Sequence, residues 1–159
     1  MGNGRDSAEA LEEFADLFER LRLDARAPGT VVLVEGARDR RALRRLGLDG
    51  PIIVLHRGRT LSGTAAHLVA GARRVIVLTD WDTEGGHFVQ RLKEFLGADS
   101  VELDLEYRRR LARILRGELV HVEGLHGWAR RLAEKQGSSL EQLLGPLDPD
   151  GPDPSVPTG

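Results

Sequence analysis

The sequence predicts an α/β fold built on a parallel sheet, and three observations lead there. Short apolar runs recur at residues 31–34, 52–55 and 75–78, reading VVLV, IIVL and VIVL. Stretches of helical period separate them. The runs are continuous rather than alternating, as in parallel strands covered by helices on both faces.

The elements follow in order. Leu11, Phe14, Leu17, Phe18 and Leu21 have the three-and-four spacing of an amphipathic helix over 8–23. Pro28 and Gly29 end that connection, and a buried strand is expected at 30–34, closed by Gly36. A helix over 39–46 comes next, with Asp39 as its N-cap, until Gly47, Gly50 and Pro51 break it. The second strand is 52–55, followed by the loop His56-Arg57-Gly58-Arg59 and a helix over 61–70. A third strand, 75–79, runs into Asp80-Trp81-Asp82-Thr83-Glu84-Gly85-Gly86. A helix over 86–96 and a strand near 100–103 complete the alternation.

Helices are then expected at 107–115 and 127–136, and Ser138 with Glu141 reads as a capping box for a last short helix. From Pro146 the chain is proline, glycine and aspartate with no apolar anchor, the composition of a disordered tail. Truncation after Gly145 is therefore expected to leave stability unchanged. The domain reading is an N-terminal helix in 1–28, an α/β core in 29–105, a helical extension in 106–145 and the tail in 146–159. Val-Glu-Gly occurs at 34–36 and again at 122–124; only the first lies between a strand and a helix, so the second reads as coincidence.

Composition narrows the function classes. The absence of cysteine excludes disulfides and thiolate metal sites. No apolar run approaches the ~18 residues of a membrane span, and the polar start is unlike a secretory signal, so a cytoplasmic location is expected. A net charge of −2 decides nothing about a nucleic-acid partner. Positive charge is nearly all arginine, which suits bidentate phosphate contacts; coding bias in a GC-rich genome is the plainer explanation.

The chemistry lies at strand ends. Open parallel sheets bind ligands beyond the carboxyl ends of their strands, near the point where strand order reverses. Glu35 ends the first strand, and Asp80 and Asp82 follow the third. In a two-one-three order these strands are neighbours, roughly 4.8 Å apart. Three converging carboxylates repel one another, and a divalent cation removes that penalty. Oxygen donors alone select Mg²⁺, Mn²⁺ or Ca²⁺ over zinc. Neutralising any one of the three is then expected to leave the apo fold equally stable or slightly more so. Gly36 allows a sharp turn, while Gly85 and Gly86 leave room for a phosphate at a helix start. Acids at strand ends also serve as helix N-caps, the competing reading for each one alone.

The segments VVLVEGARD and VIVLTDWDTEG resemble the two motifs of the Toprim domain, Glu-Gly after one strand and Asp-x-Asp after another. The resemblance covers about residues 30–105. Through VEGARDRRALRRLG and VIVLTDWD it is closest to the small stand-alone archaeal Toprim proteins, related to Toprim domains of primases and of nucleases that mature ribosomal RNA. It implies a Toprim fold of about four parallel strands. It implies that Glu35, Asp80 and Asp82 hold Mg²⁺, with Mn²⁺ as a substitute, and that Glu35 adds a general acid/base role. The implied function is Mg²⁺-dependent phosphoryl transfer on nucleic acid, as a small nuclease. A non-catalytic nucleic-acid or nucleotide binder and a primase-like nucleotidyl transferase remain as alternatives.

Other assignments compete with these. A topoisomerase needs a nucleophilic tyrosine, but the sole tyrosine, Tyr107, lies in the basic stretch YRRRLARILR and reads as a packing residue. A complete primase needs more chain than 159 residues. The Asp-x-Asp-x-Thr of haloacid dehalogenase-type phosphatases sits on a first strand, and here the fifth position is Glu84. Arg38, Arg57 and Arg59 share the sheet edge with the acids and are phosphate-contact candidates; solvated loop arginines are the plain alternative. His56 and His87 flank the site as candidate proton shuttles, and Trp81 is placed either to stack on a base or to cover the sheet edge. Arg108 to Arg110 with Arg113 and Arg116 form either a basic face or ion pairs with Glu102, Asp104 and Glu106.

Overall fold

The computed structural model describes residues 3–55, 71–96, 101–119, 121–145 and 147. In chain order they form α1 (Asn3–Ala25), β1 (Thr30–Val34), α2 (Ala37–Arg45), β2 (Ile52–Val54), β3 (Arg74–Val77), α3 (Thr83–Leu96), β4 (Glu102–Asp104) and α4 (Glu106–Leu115). A 3₁₀ turn (Val122–Gly124), α5 (Leu125–Lys135) and α6 (Leu140–Leu144) follow. The expected helix at 61–70, with His56, Arg57 and Arg59, lies outside the described residues.

The four strands form one parallel sheet in the order β2-β1-β3-β4. The expected fold class and the two-one-three order are both present. Alternate residues face opposite sides, because strand period is two. Val32, Val34, Ile52, Ile76 and Leu78 join one core with Phe14, Phe18, Leu43, Leu111 and Trp128. Leu33, Ile53, Val75 and Val77 join a second with Val89 and Leu92 of α3. The chain moves to one side of β1 through α2 and to the other side of β3 through α3. Right-handed crossovers in opposite directions put those helices on opposite faces.

The first face is thick because the C-terminal helices add to it. Phe14 stacks on Phe18 with ring centroids 5.5 Å apart and meets Trp128 edge-on at 5.3 Å. Tyr107 is buried, and its hydroxyl donates to Asp24, so it is the packing residue the sequence suggested. Burial and the Asp24 carboxylate both raise its pKa.

Several local expectations change. Gly36, not Asp39, is the N-cap of α2; Asp39 sits in the first turn, and its Oδ2 accepts the Gly36 N–H at 2.9 Å. Helix α3 begins at Thr83 rather than Gly86. The last capping box uses Ser139 and Gln142: the Gln142 N–H donates to Ser139 Oγ at 3.3 Å, and the Ser139 N–H to Gln142 Oε1 at 2.9 Å. Leu147 packs against the first core, so an apolar anchor exists beyond Pro146; the rest of the tail lies outside the described residues.

Candidate metal centre

Strand β1 delivers Glu35 and strand β3 delivers Asp80 at the same sheet edge. The strands are paired directly, with Leu33 opposite Val77 and the Leu78 N–H donating to Leu33 O at 2.8 Å. The three carboxylates named from sequence come together as two overlapping groups. Glu35, Asp39 and Asp80 have ligand atoms within 4.8 Å of one another, as do Asp80, Asp82 and His121. Asp80 is common to both.

Each acid is held differently. Asp80 is only 3% exposed. Its Oδ1 accepts the Val122 N–H at 2.9 Å, and its Oδ2 lies 3.0 Å from His121 Nδ1. Asp82 is the N-cap of α3, its Oδ1 accepting the Gly85 N–H at 2.7 Å. Asp82 thus caps a helix and also stands among the clustered acids, two roles read from sequence as competing. Glu35 is half-buried, and its pKa is pushed up from 4.5 to about 7. Burial is the largest cause, followed by the charge of Asp80, a hydrogen bond with it, and the charges of Asp82 and Asp39. The hydrogen bond with Asp80 raises the His121 pKa above its ordinary value against the opposing effect of burial, with the charges of Asp80 and Asp82 adding to the rise.

Gly85 is required by backbone approach: a Cβ there would lie 1.8 Å from the Asp80 carbonyl oxygen. Its amide is turned onto the Asp82 side chain, and the Gly86 N–H onto Asp82 O at 3.1 Å. Arg108 secures the same loop from α4, donating through Nη2 to Asp80 O at 2.7 Å and through Nε to Thr79 O at 3.2 Å. Burial lowers its pKa against the pull of the acids. Arg110 and Arg109 instead pair with Glu106, at 3.1 and 3.9 Å.

Other candidates separate from the acids. Trp81 packs on the core, and its Nε1 donates to Leu119 O at 2.6 Å, so it covers the sheet edge. His87 is exposed on α3, and Arg38 is exposed on α2. Sequence reasoning missed His121 and Val122, which meet Asp80 across 41 and 42 residues. The second Val-Glu-Gly, read as coincidence, lies against the site. Its proximity to the acids was the only available signal, and proximity comes from folding.

The donor set tests whether a metal fits. The carboxylates supply hard oxygen ligands, and burial together with the neighbouring charges raises the Glu35 pKa to about 7. Hard oxygen donors of this kind suit a divalent cation. Among the described residues no helix is long and apolar enough to cross a membrane.

Residues 30–114 match the Toprim domain. The chain is 34% identical to a UPF0292 protein of Thermococcus gammatolerans, over 84% of this chain and 96% of that protein. A UPF0292 protein of Methanosarcina acetivorans is 33% identical over 72% of this chain and 78% of its own length. A solved structure described as a putative protein from Aquifex aeolicus superposes with a TM-score of 0.56 at 28% identity, covering 68% of this chain and 94% of that one. The motifs, the sheet order and these relatives agree: the chain belongs to the Toprim family, whose domains serve metal-dependent roles on nucleic acid.

Proposed function

We propose that this chain performs Mg²⁺-dependent phosphoryl transfer on nucleic acid, and that its reaction is phosphodiester hydrolysis. The observation that carries this reading is Glu35, its pKa pushed up to about 7 by burial and by Asp80 and Asp82 beyond the carboxyl ends of β1 and β3. A bound Mg²⁺ would neutralise the scissile phosphate and favour ionisation of a coordinated water. Asp80 and Asp82 are the residues to hold it, with Mn²⁺ as a substitute. Asp80 is fixed in place by Val122 and His121, and Asp82 by the start of α3. Such anchoring keeps ligand atoms in register without help from substrate. A carboxyl with a pKa about 7 exchanges its proton at physiological pH, which suits Glu35 to taking a proton from water or returning one to a leaving oxygen.

The test is a panel of end-labelled RNA and DNA, single- and double-stranded, incubated with Mg²⁺, Mn²⁺ or EDTA. Metal-dependent cleavage that disappears in Glu35→Gln supports hydrolysis. Retention of the oligonucleotide with no cleavage in any arm overturns it in favour of a binding module. Extension of a primer with added nucleotides overturns it in favour of nucleotidyl transfer.

A further inference from the structure

A groove of about 490 Å³ runs between α2 and the α5 side of the molecule. Arg38, Arg41 and Arg45 line one wall, and His126 and Arg130 line the other. The three arginines of α2 stand at i, i+3 and i+7, one face of a helix. They span about 10 Å along its axis at ~1.5 Å per residue. Among the described residues none of the three has an ion pair, and Arg130 has only a 4.0 Å contact with Glu134. Glu123 is the single acid in the lining. By contrast, a groove on α1 and α4 sets Arg20, Arg110 and Arg113 against Glu13 and Asp16. Positive charge is therefore nearer balance there, three arginines against two acids, and concentrated here, four against one. The His126 imidazole responds to it: burial, then Arg45 and Arg130, push its pKa below the ordinary value.

Chain connectivity links both walls of the groove to the acids. Arg38 follows Glu35-Gly36 at the start of α2. Glu123 follows Val122, whose amide is bonded to Asp80. One wall belongs to the Toprim match, and the other, residues 123–130, lies beyond its end at residue 114.

We propose that this groove is the seat of the nucleic-acid backbone, with Arg38, Arg41, Arg45 and Arg130 contacting consecutive phosphates of one strand as it leaves the acidic site. The inference rests on the nucleic-acid reading above and assigns its substrate path. The helical extension thereby supplies half of the binding surface as well as core packing. RNA and DNA share the phosphate chemistry, so the groove alone recognises a polyanionic strand.

Fluorescein-labelled single-stranded 20-mers of RNA and of DNA, titrated in EDTA and followed by anisotropy from low to moderate KCl, test the path without involving metal or cleavage. Arg38→Gln/Arg41→Gln/Arg45→Gln should bind at least 10-fold more weakly than wild type. Its slope of log affinity against log salt should be shallower by about 2, since each single-strand phosphate contact contributes about 0.7. Arg20→Gln/Arg113→Gln, altered in the groove nearer balance, should match wild type. All five residues are exposed, and unchanged melting curves establish that each variant is folded. Equal affinity and slope in the groove variant, or equal losses in both variants, would overturn the path. Binding in EDTA and cleavage with Mn²⁺ are separate readouts, so loss of the path and loss of the hydrolytic reading remain distinguishable.

Discussion

His121 Nδ1 lies 3.0 Å from Asp80 Oδ2, while the amide of the next residue, Val122, holds Asp80 Oδ1 at 2.9 Å. One buried carboxylate therefore ties the end of β3 to the start of the C-terminal helices. Asp80→Ala should leave the buried Val122 N–H without an acceptor and cost about 1–3 kcal/mol. Asp80→Asn keeps an oxygen for that amide, and the imidazole can meet the new NH₂ by changing tautomer. Urea unfolding should thus show Ala well below Asn in stability. Equal midpoints would mean that the clasp contributes nothing. Asp80 therefore repels its neighbours and also fastens two segments, so truncation and isosteric neutralisation should differ in their effect.

Glu35 is where relief of repulsion should dominate. Its folded pKa is about 7 against an ordinary 4.5, so the unfolded chain loses this proton first. Below pH 4.5 the contribution to stability is whole. It falls as pH rises from 4.5 to about 7 and is level above that. Glu35→Gln should abolish the decline. Near neutral pH and above, the variant should be more stable by ~1–2 kcal/mol, a figure reduced for solvent screening of a half-buried group. Paired melts in acid and alkaline buffer check this, and a constant difference between the two proteins across pH would refute it.

Metal binding draws on the same proton. A cation seated among these carboxylates favours their ionised forms, so Mn²⁺ uptake near pH 7 should release on the order of half a proton. Calorimetry in buffers of different ionisation enthalpy measures that number directly. In Glu35→Gln the release should shrink by the Glu35 share, leaving what His121 gives up, although Mn²⁺ still binds through the aspartates. Release undiminished in the variant would place the titrating group elsewhere.

The paired glycines of the acidic loop should differ sharply. Gly85→Ala would drive a Cβ to 1.8 Å from Asp80 O, a backbone atom that cannot move without disturbing the site. A loss of about 2 kcal/mol or more is expected, together with weaker Mn²⁺ binding. Gly86 has open space around its Cβ position, and alanine suits a helix better by roughly 0.5–1 kcal/mol. Thermal melts should rank Gly86→Ala at or above wild type and Gly85→Ala far below.

Leu147 alters the prospect for the tail. It packs on the first core, with its Cδ2 2.9 Å from the Cβ position of Gly47. Ending the chain after Gly145 should cost about 1 kcal/mol, part of the ~1.5–3 kcal/mol for fully burying a leucine. Ending it after Leu147 should cost nothing measurable. Identical melting temperatures for the two truncations would return the anchor to irrelevance.

The sequence by itself determined the parallel sheet, because continuous apolar runs and intervening helical period are local signals; the two-one-three order entered as a premise, and the folded sheet has it. It also determined that Glu35 and Asp80 share an edge, since each lies beyond the carboxyl end of a parallel strand. Only the tertiary structure decided what each acid does there. Asp82 caps a helix because α3 starts three residues earlier than the glycines suggested. Asp80 is a clasp because the chain returns 41 residues later to place His121 and Val122 upon it. Helix α2 and the α5 region likewise become two walls of one basic groove only when packed. Periodicity records which face of an element is buried; it carries no record of which distant segment arrives to cover that face, and partners so far apart are set by closure of the whole core.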